Sequence, residues 1–203
     1  GDVSAYYIQE INTKSDWAMG LNISNIGSKI SYTETATKDF IPTNMRLGAS
    51  FTTEVDQYNK ISFEVDLNKL LVPTPPLDYD GTSWSSGMNP DVPVMSGIFQ
   101  SFWDAPGGAK EEFQEIIYSV GTEYWYDEQF AARFGYFHEA PTKGDRQFFT
   151  LGAGIRYNVF GLDFSYLIAM RNRDEAGAIN PLSNTLRFAL TFDFGALEEE
   201  NIE

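Results

Sequence analysis

The sequence has no cysteine and a single histidine among its 203 residues. Without thiols there is no disulfide framework, no thiolate nucleophile and no zinc–thiolate site. Long apolar runs are missing too. No stretch of about 18 apolar residues occurs, which excludes a transmembrane helix. It does not exclude a membrane β-barrel, whose strands alternate and carry a weak hydropathy signal. Positive charge is scarce: 14 Lys and Arg stand against 29 Asp and Glu, a formal net charge of −15. Such a chain repels a phosphate backbone, so no nucleic-acid partner is expected. Strand-like sequence follows Gly1 directly, with no basic, apolar leader, and the chain reads as a mature form or a fragment.

What is present is aromatic and periodic. Phe, Tyr and Trp make up 15% of the chain, and 17 glycines against five methionines suit strands and turns better than helices. Apolar residues recur at every second position. Trp17, Met19, Leu21 and Ile23 alternate with small or polar residues, as do Met45, Leu47, Ala49 and Phe51, and Ile61, Phe63, Val65 and Leu67. The pattern returns at Ile116, Tyr118, Val120 and Tyr124, at Phe130, Ala132, Phe134 and Tyr136, and at Phe149, Leu151, Ala153, Ile155 and Tyr157. Leu162, Phe164, Tyr166 and Ile168 follow, then Leu186, Phe188, Leu190, Phe192 and Phe194. With a weaker strand at 2–9 this makes about nine strands of membrane-spanning length.

Connections are short at about 10–16, 56–57, 127–128 and 160–161, and longer at about 26–43, 70–115, 139–147 and 172–184. Strict alternation of short and long puts every short turn at one end of an up-and-down meander, as in outer-membrane barrels with periplasmic turns and longer extracellular loops. The fold class expected is therefore all-β, a transmembrane antiparallel β-barrel over 1–194, with an acidic periplasmic tail at 195–203. Strand parity adds that an odd number of strands is missing upstream, leaving 2–9 and 185–194 as sheet edges. Periodicity alone leaves open whether the apolar face meets lipid or a protein interior, since a soluble lipocalin-like barrel alternates in the opposite sense. A polar face rich in Gly, Ser, Asn and Thr, and aromatics near strand ends such as Trp17, Trp125 and Phe160, favour lipid.

No residue pattern points to catalysis. His138 ends a strand with no nucleophile beside it, Gly107-Gly108 lacks the following Lys-Ser/Thr of a phosphate loop, and Asp78, Asp80 and Asp91 lack the spacing of a calcium loop. No cofactor or metal is expected. Arg46, Arg156 and Arg187 share the inward parity and are expected to pair with Glu64, Glu123 or Asp163 inside the barrel. The loop at 70–115 is too long for a plain connection. It opens on Val72-Pro73-Thr74-Pro75-Pro76, carries Trp84, Phe99, Phe102 and Trp103, and has one expected helical turn at 107–113. Its aromatics suit either packing on the barrel rim or docking to a partner.

Segments in order along the chain carry a resemblance. They are Asn25 to Tyr32; Phe40-Ile41-Pro42 through Arg46-Leu47-Gly48; and Tyr58-Asn59-Lys60 into Asp66 to Pro76. Further on come Ser101 to Gly108, Tyr124-Trp125-Tyr126, Arg133 to Glu139, Lys143-Gly144-Asp145-Arg146 and Asn180 to Phe188. Together they resemble the PorV family of the Bacteroidetes type IX secretion system, within the FadL-like barrels. The resemblance implies a barrel of about 14 strands, of which five upstream and a plug have no counterpart here. It also implies a non-enzymatic outer-membrane role. The partners implied are the translocon barrel, the C-terminal signal domains of secreted cargo, the surface sortase and attachment complex, and outer-membrane lipid. Pro73, Pro75, Pro76, Trp84, Phe99, Phe102 and Trp103 become the expected partner-binding residues. The alternative within the same fold is FadL-like passage of hydrophobic small molecules, which would need an apolar pocket in the lumen.

Overall fold

Alternation over ten or so residues builds long strands, and short turns between them build a meander. The computed structural model describes residues 1–31, 38–79, 83–170 and 184–193. Tyr32, Asp80, Phe194, most of the expected loop at 172–184 and the expected tail at 195–203 lie outside these. The first strands are β1 (Val3–Asn12), β2 (Ser15–Ser24), β3 (Asn44–Glu54) and β4 (Asn59–Leu70). Within the long loop come a small hairpin, β5 (Leu77–Tyr79) with β6 (Trp84–Ser86), and two short helices, α1 (Val94–Gln100) and α2 (Ala109–Gln114). The meander resumes with β7 (Ile116–Tyr126), β8 (Phe130–His138), β9 (Gln147–Tyr157), β10 (Phe160–Ala169) and β11 (Leu186–Phe192).

Nine strands form one antiparallel sheet in the order β1-β2-β3-β4-β7-β8-β9-β10-β11. The fold is all-β, of the barrel type. β1 and β11 are its two edges, as the sequence led one to expect, and are not bonded to each other. The first short turn is tighter than expected, and those at 55–58 and 127–129 are slightly longer. β1 and β2 stay paired out to Asn12 and Ser15, and Asp127 and Glu128 both take φ of 52° to reverse the chain between β7 and β8.

Burial decides the question that periodicity left open. Ala18, Ser62, Ala131 and Leu167 are buried, whereas the large apolar side chains of the other parity are exposed, Phe63 at 50% and Val120 at 46%. Small and polar residues thus face inward and apolar ones outward, the arrangement of a lipid-facing wall. At the edge strand β11 burial is uninformative because every residue is exposed. Pairing settles the parity there: Leu190 lies opposite Leu162 on the outward face, and Arg187 and Thr191 lie opposite Ser165 and Gly161 on the inward one. Aromatic neighbours reinforce the outward face, with Phe164 and Phe188 5.4 Å apart and Tyr136 and Phe149 4.9 Å apart.

Inside, near the short-turn end, Arg133 donates to Glu123 at 2.5 Å and to Asp163 at 2.6 Å, and Arg156 donates to Asp163 at 2.7 Å. Both guanidinium groups lie 5.4 Å from the Trp125 ring. The expected lattice exists, but its centre is Arg133. Arg46 and Arg187 form no ion pair among the described residues. Arg133 had the same signal, an inward parity between Ala131 and Gly135.

Candidate functional site

The loop between β4 and β7 is a folded cap. Leu71 is 1% exposed and its N–H donates to the Thr43 carbonyl at 2.8 Å, while the Thr43 hydroxyl donates to the Asn25 carbonyl at 2.9 Å. The proline-stiffened strap Val72–Pro76 then runs against α1. Gly97 makes that packing possible: a Cβ there would sit 2.6 Å from the Phe40 ring and 3.1 Å from Pro73. The two long loops are therefore locked together, with Lys29 also pairing with Asp91 at 3.0 Å.

The cap's interior is polar. Asp104, 1% exposed, accepts from the Thr74 N–H at 3.1 Å and from Gln100 at 3.3 Å. Glu112 accepts from the Ala105 N–H at 2.8 Å, and Glu111 from the Gly107 N–H at 2.7 Å. Lys69, at the end of β4, donates to Glu115 at 2.7 Å and to Glu112 at 3.1 Å. The Thr74 hydroxyl donates to Glu115 at 2.6 Å, and Lys143 donates to Glu111 at 2.6 Å and to Glu115 at 2.9 Å. Beside it Arg146 grips Glu139 with two bonds, at 2.6 and 2.9 Å. One lattice thus joins the β4 wall, the strap, α2 and the loop after β8. It surrounds a cavity of about 650 Å³ whose lining includes Leu70, Val72, Pro73 and Pro75 as well as Lys143 and Arg146.

The electrostatics follow from this packing. Burial pushes the Glu115 carboxyl up, but hydrogen bonds from Lys69, Thr74 and Lys143 outweigh it and hold the group below its ordinary range. Glu111 is held down mainly by Lys143. At Asp104 burial prevails and the carboxyl is raised. A depressed carboxylate adds stability above its unfolded value that disappears as pH falls through the folded one. A raised carboxyl does the reverse, adding stability as pH falls towards its unfolded value. The cap is therefore tightest at mildly acidic pH and loosens below the ordinary carboxylate range. Lys69→Ala should loosen it at neutral pH as well. Removing one partner of a buried lattice leaves charge uncompensated and costs about 3–5 kcal/mol. Limited proteolysis should then cut within 71–114 in the variant, while the strands stay protected.

The expected partner residues are placed by the structure in different parts of the cap. Pro73 and Pro75 line the cavity, Pro76 packs against Gly87, and Trp84 sits in β6 paired with Tyr79. Phe99 is exposed on α1. Phe102 and Trp103 instead join Phe113 around Lys69, away from the prolines. Sequence reasoning missed the ionic residues that hold the cap, namely Lys69, Glu111, Glu112, Glu115, Lys143, Arg146 and Glu139. The one legible sign was Lys69 itself, a cation on the apolar parity set by Ile61, Phe63, Val65 and Leu67. His138 lies between Tyr118 and Tyr136, with ring centroids 6.4 and 6.2 Å away, on the outward face. Asp91 is committed to Lys29, and no cluster of three candidate metal ligands occurs among the described residues.

No curated protein matches the chain. Residues 2–77 match the family described as Type IX secretion system protein PorV, a span that takes in β1 to β4 and reaches the start of β5. Together with the antiparallel barrel-type sheet and the outward apolar wall, this match over the first four strands supports the identification of the chain as PorV-like.

Proposed function

We propose that this barrel receives secreted cargo by its C-terminal signal domain from the translocon barrel and passes it to the surface attachment and sortase complex. In this reading the capped end is extracellular, the short turns and the residues at 195–203 are periplasmic, and no residue is catalytic. The observation that carries it is the cap. Two adjacent antiparallel strands, β4 and β7, need only a few residues to connect them, yet the chain between Leu70 and Ile116 folds into a hairpin and two helices tied to the wall. Ordered structure of that size at the mouth of a barrel suits a docking surface. Pro75, Pro76, Trp84 and Phe99 are the proposed contacts, and aromatic residues are the usual anchors of such interfaces. Phe102 and Trp103 lie towards the outward wall and are assigned separately below.

A photoactivatable phenylalanine analogue at Trp84 or Phe99 should crosslink in cells to a cargo signal domain or to another secretion component. The same probe at Asp127, in a short turn, should not. Adducts absent from both cap positions in a secreting cell would contradict the reading. His138→Ala should secrete normally. The second reading, passage of hydrophobic small molecules, draws on the apolar side of the mouth cavity formed by Leu70, Val72, Pro73 and Pro75. The ionic part of the same lining, Lys143 and Arg146 with their glutamates, fits such a ligand less well.

A further inference from the structure

The side of the cap over the outward wall is inside-out. Lys69 occupies a position on the lipid-facing parity of β4, opposite Ile116 of β7, yet it is only 4% exposed. α2 covers it, and Glu112 and Glu115 at the end of that helix neutralise it. The neighbouring polar groups Ser101, Asp104 and Gln100 are buried as well. The side chains turned outward over them are aromatic: Phe102, Trp103 at 60% exposure and Phe113 at 66%. A segment facing water arranges itself the other way, burying its aromatics and exposing its charges. A segment facing lipid must do what this one does.

We propose that Phe102, Trp103 and Phe113 seat this flank of the cap in the adjacent lipid leaflet, and that the groove among them takes an acyl chain. The groove holds about 330 Å³ and is lined by these three side chains together with Lys69, Glu112 and Ile116 among others. Continuity selects lipid as the occupant. Ile116 and Lys69 belong to the barrel's outward face, so the groove opens onto the same surface as Phe63, Val65 and Val120. The aromatics extend the apolar wall past the point where a strand lysine would have broken it. Tryptophan and phenylalanine beside a lysine suit the boundary between acyl chains and headgroups. The proposal rests on the placement of the barrel wall in the membrane and fixes how the cap sits against it.

The chain has no cysteine, so nitroxide labels can be placed without background. The whole protein, carrying Trp103→Cys or Phe113→Cys, is labelled and reconstituted without partners in phosphatidylcholine bilayers. Phe63→Cys serves as the wall reference and Asn89→Cys as the solvent reference. Collision with dissolved oxygen is compared with collision with a water-soluble nickel chelate. Both cap labels should show an oxygen-to-chelate ratio severalfold above that at Asn89 and close to that at Phe63. Either site suffices if the other variant fails to fold. A ratio like that at Asn89 would overturn the proposal and mark the patch as a water-facing surface for a protein partner. A Phe63 label open to the chelate would overturn the wall assignment along with it.

Discussion

Arginine in place of Val120 should keep the barrel out of the membrane, whereas arginine in place of its neighbour Ser119 should not. Val120 lies near the middle of β7, opposite Val65 and Tyr136 on the outward face. A charge at mid-membrane depth on the lipid side costs about 2–4 kcal/mol. That lowers the insertion equilibrium by a factor of about 30 or more, because each 1.4 kcal/mol is tenfold. Ser119 pairs with Asp66 and Phe137 on the inward face. An arginine there meets a carboxylate and no lipid. Outer-membrane fractionation, with the folded form separated by its resistance to unfolding in unheated gels, reads both variants. Equal yields would mean that the two parities face similar surroundings, and the membrane wall would be misassigned.

The wall was legible because its signal is local. A period of two over ten residues survives any tertiary context, so the strand series, its short turns and its edges at 2–9 and 185–194 could be read from residues alone. Periodicity alone did not give the sense of the alternation; the polar face rich in Gly, Ser, Asn and Thr favoured an outward apolar face, and the burial of Ala18 and Ser62 agrees with it. The cap was legible as a loop of unusual length but not as a structure. α1 has no side-chain N-cap bond, no acidic residue in its first turn and no basic residue in its last. It is held by Pro73 and Phe40 through Gly97, contacts between segments far apart in sequence. The lattice was hidden for the same reason: Lys69 and Glu115 are 46 residues apart, and Lys143 and Glu111 are 32 apart. The expected partner residues were chosen for side-chain type, which groups Trp84 with Trp103. Only their placement shows that Phe102 and Trp103 flank Lys69 while Pro73 and Pro75 line the mouth.

Excising the cap while keeping the barrel should abolish cargo handling. Pro76 and Pro106 both pack on Gly87, so the chain can be rejoined between them with a short Gly-Ser linker. The shortened protein keeps Lys69, Thr74, Lys143 and the three α2-side glutamates, and with them the ties from the strap and α2 to the wall. It loses Trp84 and Phe99, together with Phe102 and Trp103 on the lipid side. Each such anchor contributes about 2 kcal/mol or more when buried in a partner pocket, so affinity should fall by well over about tenfold. The decisive measurement is recovery of signal-domain cargo and translocon barrel on the affinity-tagged shortened protein, taken from outer membranes in which it is folded and present at normal levels. The expected result is loss of both partners, with cargo accumulating behind the outer membrane. Normal recovery of both on a folded, membrane-inserted barrel would contradict the assignment of the cap as the docking surface.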